Sequence, residues 1–274
     1  MTPEKFRSLQ LVQASIMDDI HRVCVKNNLK YYMIGGTALG AIRHKGFIPW
    51  DVDIDIAMPR EDYEKFIKIA NDELDPKHEC QSYLNQKRFI SPHILIVLKN
   101  SSITFKNDDL NKESLRSKIY VDILPLDQVP VDLKLRKKHA RELALISKIK
   151  YYKDCRIYST NGLLARICKK IIRLGLSCLS DYRLNSIQQQ VAQKYNNIPD
   201  TGEICSTLSH YKYEKLCMPK TIWGTPILYT FEGRQYYGPE KIHDYLHRIF
   251  GDYMKLPSLE IQEYYRDMIN DAQW

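Results

Sequence analysis

The chain has 274 residues, 44% of them hydrophobic and 27% charged, and carries a net charge of +8. That is enough chain for a substantial core and one or two domains, and the balance is that of a globular protein rather than a disordered or fibrous one. No apolar run reaches the ~18 residues of a membrane span, and MTPEKFRSLQ carries charges where a secretion signal needs apolar residues, so neither is expected.

Phe6, Leu9, Val12, Ile16, Ile20 and Val23 recur at helical spacing, which predicts an amphipathic helix over 4–27. LKYYMI reads as a short buried strand ending at Gly35-Gly36, with TALGAIR as a helix opening at that turn. Pro49 breaks the chain before DVDIDIAM, which reads as a strand, and Pro59 followed by acids starts another helix. HILIVLK, SSITFK and SKIYVDILPLD are strand candidates, the last expected to stop at Pro125. From about residue 133 the pattern turns helical, through LKLRKKHARELALISKIKYY, NGLLARICKKIIRLGLSCLS and DYRLNSIQQQVAQKY. The end is mixed: a strand around PILYTFEG, a helix over PEKIHDYLHRIF and a turn at GDYMKLPS. The expected class is α/β, a mixed-sheet core over 1–132, a basic helical insertion or subdomain over 133–220, and a C-terminal segment, 221–274, packing back on the core.

Seven cysteines without a C-x-x-C pair argue against a disulfide framework and a structural zinc site, and fit a reducing, cytoplasmic setting. The positive charge is concentrated: residues 134–173 hold thirteen Lys or Arg against Glu142 and Asp154. Such a segment implies an anionic partner. Within it Arg166, Lys169, Lys170 and Arg173 fall on one helix face and Leu164, Ile167, Ile171, Leu174 and Cys178 largely on others. Residues 163–179 could therefore rest on an anionic membrane, or pack their apolar side on the core and leave the charges solvated.

In DVDIDIAM the aspartates 51, 53 and 55 alternate with Val52, Ile54 and Ile56. On a strand this sets three carboxylates on one face, where like charges repel and Asp is disfavoured, so a cation should compensate. Asp53 and Asp55 can converge on Mg²⁺ (or Mn²⁺), and Asp122, alone in an apolar strand, supplies a third carboxylate. Gly35, Gly36 and Thr37 open a helix directly after a strand, where free N–H groups can hold a phosphate. Arg43, His44 and Lys45 at its far end either steady a polyphosphate or form a solvated helix end. Asp127 reads as a turn-former, Asp252 as turn chemistry, and Trp223, Tyr236 and Tyr237 as core packing ahead of an aromatic wall. Glu232 has no role assignable from its neighbours.

A strand, a Gly-Gly helix, a D-x-D strand and a later strand with one more Asp resemble the nucleotidyltransferase fold. GGTALGAIRHKGFIPWDVDIDIAMPREDYEKF, VDILPLD, FEGRQYYGPE and YLHRIFGDYMKLP together resemble the LicD family of phosphotransferases. The resemblance implies Gly35 and Gly36 as the phosphate-cradling turn, Asp53 and Asp55 as metal ligands, and Asp122 as the third carboxylate, binding metal or taking a proton. The family commonly reads W-D-D-D-I-D here; Val52 departs from it, which leaves the role of Asp51 open. It further implies a CDP-alcohol donor (CDP-choline, CDP-ribitol or CDP-glycerol) and a glycan acceptor, lipid-linked, in lipopolysaccharide, teichoic acid or capsule synthesis, with CMP released. The place implied is the cytoplasm, peripheral to the inner membrane face. Two rivals remain: a nucleotidyltransferase using a nucleoside triphosphate, and a nucleic-acid-binding protein using the 134–173 segment. No nucleic-acid motif accompanies that charge, so no nucleic acid is expected.

Overall fold

The computed structural model describes residues 1–106, 117–154, 162–209 and 211–274. A long first helix, α1 (Pro3–Lys26), starts at a Thr2 cap whose hydroxyl accepts from Lys5 N, with Pro3 in the first turn. Its buried Phe6, Leu9, Ile16, Ile20 and Val23 lie against the central sheet. Then come β1 (Tyr32–Met33), α2 (Gly35–Arg43), β2 (Asp55–Pro59), α3 (Arg60–Glu73), β3 (His78–Gln81), β4 (Ile94–Leu98), β5 (Ser102–Phe105) and β6 (Tyr120–Gln128). The helical stretch is α4 (Leu133–Asp154), α5 (Leu163–Leu176) and α6 (Asp181–Ala192). It is followed by β7 (Glu203–Cys205), α7 (Tyr213–Leu216), β8 (Met218–Pro219) and α8 (Lys220–Trp223). The chain closes with β9 (Ile227–Phe231), β10 (Arg234–Gly238), α9 (Ile242–Phe250), α10 (Leu259–Arg266) and β11 (Ile269–Gln273).

The α/β class expected from the sequence is the one observed. The central sheet runs β1-β2-β6-β4-β3, with β7 and β8 continuing from the far end of β6. Only β2 and β6 are parallel among the described pairs; the rest are antiparallel, so the sheet is mixed. β9 and β10 form a separate hairpin, and β11 pairs with β5. β6 is buried along its whole length, as a strand covered on both faces must be.

Two strand expectations are corrected. The strand does not span Asp51–Met58 but begins at Asp55. Before it, the carbonyls of Asp51 and Val52 accept not from a neighbouring strand but from the buried side chains of Gln10 (3.0 Å) and Gln13 (2.8 Å) on α1. The period of two survives in burial: Val52, Ile54 and Ile56 are buried while the three aspartates are half-exposed. β6, for its part, does not stop at Pro125. Its pairing with β4 ends at Ile123 and that with β7 starts at Asp127, so the missing N–H of Pro125 falls between two ladders, where no donor is required. Among the described residues no helix is long and apolar enough to cross a membrane.

Candidate active site

The parallel pairing of β2 and β6 places Asp55 directly opposite Asp122, and the Asp122 N–H reaches Ile54 O at 2.9 Å. Asp53 lies two residues before Asp55, on the same side. One oxygen from each of Asp53, Asp55 and Asp122 lies within 4.8 Å of the other two. Three carboxylate oxygens converging in this way suit a hard divalent cation such as Mg²⁺, which leaves its remaining positions to water and phosphate.

The turn into α2 is built around this trio. Gly35 has φ +53°, and a Cβ there would sit 3.4 Å from Asp55 Oδ2; a Cβ on Gly36 would collide with the carboxylate of Asp51. Gly35 is thus needed for its left-handed backbone, and Gly36 because a side chain there has no room beside Asp51. The Gly35 N–H is taken by the Tyr245 hydroxyl at 2.9 Å, which leaves Gly36 and Thr37 as the opening donors without a carbonyl one turn back. The Thr37 side chain is buried and accepts from Asp55 N at 2.9 Å, so it fixes the start of β2.

Asp122 is buried, and His93 Nε2 lies 2.7 Å from its Oδ1, so the imidazole donates to the carboxylate. Asp51 stands outside the trio with its Oδ1 accepting from Val52 N, and its desolvation at the cavity wall, reinforced by the charge of Asp53, raises its carboxyl above the ordinary carboxylate range. Burial likewise raises the Tyr211 phenol well above its usual range, with Asp55, Asp51 and Asp53 adding to the effect.

These groups open into a cavity of about 980 Å³. Gly35, Gly36 and Arg43 line it with Asp51 and the trio, whereas His44 and Lys45 are not in its lining and take the solvated-end arrangement of the two the sequence left open. The reason is local: α2 ends at His44, whose ring packs against Trp50, and Lys45 turns out into solvent with φ +59°. Arg43 itself donates to the carbonyls of Tyr253 (2.8 Å) and Lys255 (3.3 Å), holding the 251–257 segment at the cavity.

The wall is aromatic: Trp50, Tyr211, Trp223, Tyr245, Phe250 and Tyr265 all contribute. Trp223 therefore belongs to the cavity, whereas Tyr236 and Tyr237 pack against His21 in the core, as expected. Within the lining, Trp223 Nε1, Ser206 Oγ and His93 Nδ1 are buried polar atoms without a partner among the described residues. Asp127 is no turn-former: it is fully buried, takes a bidentate pair of bonds from Arg60 and accepts from Asn196 at 2.7 Å. Glu232 has a structural partner set as well, pairing with Arg7 and accepting from Phe47 N at 2.9 Å.

His93, Tyr211 and Ser206 are site residues the sequence reading missed. His93 had one available signal, a histidine directly before an apolar strand; the other two lie in a stretch with no motif.

The lipopolysaccharide cholinephosphotransferase LicD of Haemophilus influenzae is 32% identical over 265 residues, 94% of each chain. This chain belongs to the LicD family. The model of that family's domain, described as LicD/FKTN/FKRP nucleotidyltransferase domain, matches residues 28–132, the span holding the LicD-like glycine turn and all three carboxylates. Shorter matches link this LicD chain to two uncharacterised rickettsial proteins. One, of Rickettsia typhi, is 46% identical over 63 residues, 23% of this chain and 20% of its own. The other, of Rickettsia prowazekii, is 48% identical over 56 residues, 20% of each.

Proposed function

We propose that this chain transfers phosphocholine from CDP-choline to a sugar hydroxyl of lipopolysaccharide, releasing CMP, with Mg²⁺ held by Asp53, Asp55 and Asp122. The observation that carries the reading is the convergence of those three carboxylates within 4.8 Å at a large aromatic cavity. Similarity over 94% of each chain to a lipopolysaccharide cholinephosphotransferase supports the choice of transferred group and acceptor.

Asp53, Asp55 and Asp122 would hold the cation, which would supply positive charge against the departing CMP. The chain's own residues do the rest. Gly36 and Thr37 offer N–H groups at the positive end of α2 to a phosphate oxygen. Trp50, Trp223 and Tyr211 line the cavity, and the faces of such rings attract a trimethylammonium head through their quadrupole. The acceptor hydroxyl attacks the distal phosphorus in line: its oxygen forms the new P–O bond, the bond to the CMP oxygen breaks, and Asp122 takes the hydroxyl proton. His93 keeps the Asp122 carboxylate turned toward the cavity.

The test is to incubate the protein with CDP-choline, CDP-ribitol, CDP-glycerol or CTP and a lipopolysaccharide acceptor, with and without Mg²⁺, and to measure CMP and pyrophosphate. Metal-dependent CMP release from CDP-choline, absent in Asp53→Ala/Asp55→Ala, is expected. Release from CDP-ribitol or CDP-glycerol instead would change the alcohol, and pyrophosphate from CTP would replace the reading with nucleotidyl transfer.

A further inference from the structure

Helix α5 is turned the opposite way from an ordinary surface helix. Leu164, Ile167, Ile171 and Leu174 share one face at spacings of three and four, and that face points to solvent, with exposures of 76%, 45%, 65% and 76%. Cys168 on the same side is exposed too. Arg166, Lys169 and Arg173, on the opposite face, are only half-exposed, and the helix neighbours α4. A helix lying on a globular core normally buries its apolar stripe and solvates its charges. The structure thus does not show the core-packed arrangement, and among the described residues no other element covers the stripe.

We propose that α5 is an interfacial helix that lays its apolar face into the surface of an anionic membrane. Four observations point to lipid rather than to a second copy. α5 contains four basic residues and no acid, so two such helices face to face would repel. Exposed Lys170 flanks the apolar stripe, where its stem can run along the acyl boundary and its ammonium group reach headgroup phosphates. The rest of the basic segment adds exposed Lys134, Lys137, Lys138, Arg141 and Lys148 on α4, each of which gains from a negative surface within a Debye length. Of the other basic residues in that segment, Arg136 and Lys153 pair with Glu203 and Asp181, Lys150 is buried, and Arg156 lies outside the described residues. α4 is also the helix that contributes Ser147 to the cavity, so the proposed membrane-bound surface and the cavity meet on one element, as an acceptor with a lipid anchor requires.

The proposal rests on the proposed activity only for its lipid-anchored acceptor, and its test does not use catalysis. The full chain is sedimented with vesicles of phosphatidylcholine alone or of phosphatidylcholine with phosphatidylglycerol, at low and at physiological salt. Binding to the anionic vesicles is expected, weakened by salt. Leu164→Ser/Ile171→Ser/Leu174→Ser should weaken it by about tenfold or more while keeping the wild-type melting temperature, because all three side chains are exposed. The idea is overturned if the wild type ignores both vesicles, binds neutral ones equally well, or binds no better than the serine variant. It is also overturned if the protein is a dimer in solution that the serine variant converts to monomer. CMP release from CDP-choline, measured separately, distinguishes failure of this proposal from failure of the proposed activity.

Discussion

Replacing Asp53 by Asn should stabilise the metal-free protein and abolish its response to Mg²⁺. One oxygen each from Asp53, Asp55 and Asp122 falls within 4.8 Å of the others, and two unit charges at that distance repel by roughly 3.5 kcal/mol at an effective dielectric near 20. Asp53 and Asp55 are half-exposed, so solvent screening brings each pair down to ~1–2 kcal/mol. His93 blunts the charge of Asp122 further, which leaves the Asp53–Asp55 pair as the main source of relief. Asparagine keeps the shape and one acceptor oxygen while removing the charge. In chelator the variant should melt about 2–8 °C above the wild type, at the ~2–4 °C per kcal/mol expected for a domain near this size. Mg²⁺ at a hundred times its dissociation constant should add about 2.7 kcal/mol to the wild type, and almost nothing to the variant. The assay is a melting curve by circular dichroism with chelator or with graded Mg²⁺. A lower melting temperature for Asp53→Asn in chelator would refute the reasoning, because the protein's own groups would then already neutralise the cluster.

Three further outcomes are expected. Asp127→Ala should cost about 3–5 kcal/mol in urea unfolding, since it strands the buried Arg60 guanidinium, whereas Arg60→Met/Asp127→Leu should recover most of that; an inactive Asp127→Ala of wild-type stability would instead put Asp127 in the site. Lys150 is buried between Asn185 and Gln188, and burial brings its pKa down to about 7. Between about 7 and a lysine's usual ~10.4 the unfolded chain holds the extra proton, so stability should rise with pH across that window and flatten in Lys150→Met, as read from urea midpoints at a pH series. His93→Ala should lower Mg²⁺ affinity about tenfold to a hundredfold by releasing the Asp122 carboxylate, as seen by calorimetry; unchanged affinity would reduce His93 to a packing residue.

The carboxylate trio was legible because its signal is local. Charges at every second position of an apolar run mark one side of the chain as polar, which held in burial although the strand itself starts only at Asp55, and a lone Asp in another apolar run declares a partner. The partners that hold the site in place leave no such mark. Gln10 and Gln13 sit on the buried side of an otherwise apolar helix face, and only the fold shows that their amides reach the carbonyls of Asp51 and Val52 about forty residues on. Tyr211 and Ser206 arrive from a stretch without pattern, and Tyr245 caps Gly35 across 210 residues of chain. Pro125 misled because its effect depends on which strand edge its absent N–H faces, a property of pairing rather than of sequence. The two faces of α5 were plain from helical spacing, but which one looks outward depends on what α4 offers it. Asp127 shows the same limit: a buried ion pair and a turn look alike until Arg60 is seen against it.

The central claim is that Asp53, Asp55 and Asp122 bind a divalent cation through which the chain holds a CDP-alcohol. The most direct measurement is a calorimetric titration of CDP-choline into the wild type and Asp55→Asn, each in Mg²⁺ and in chelator. The account predicts binding to the wild type in Mg²⁺ that is lost in chelator and lost in the variant. Equal affinity with and without the metal, or unimpaired binding by Asp55→Asn, would contradict it.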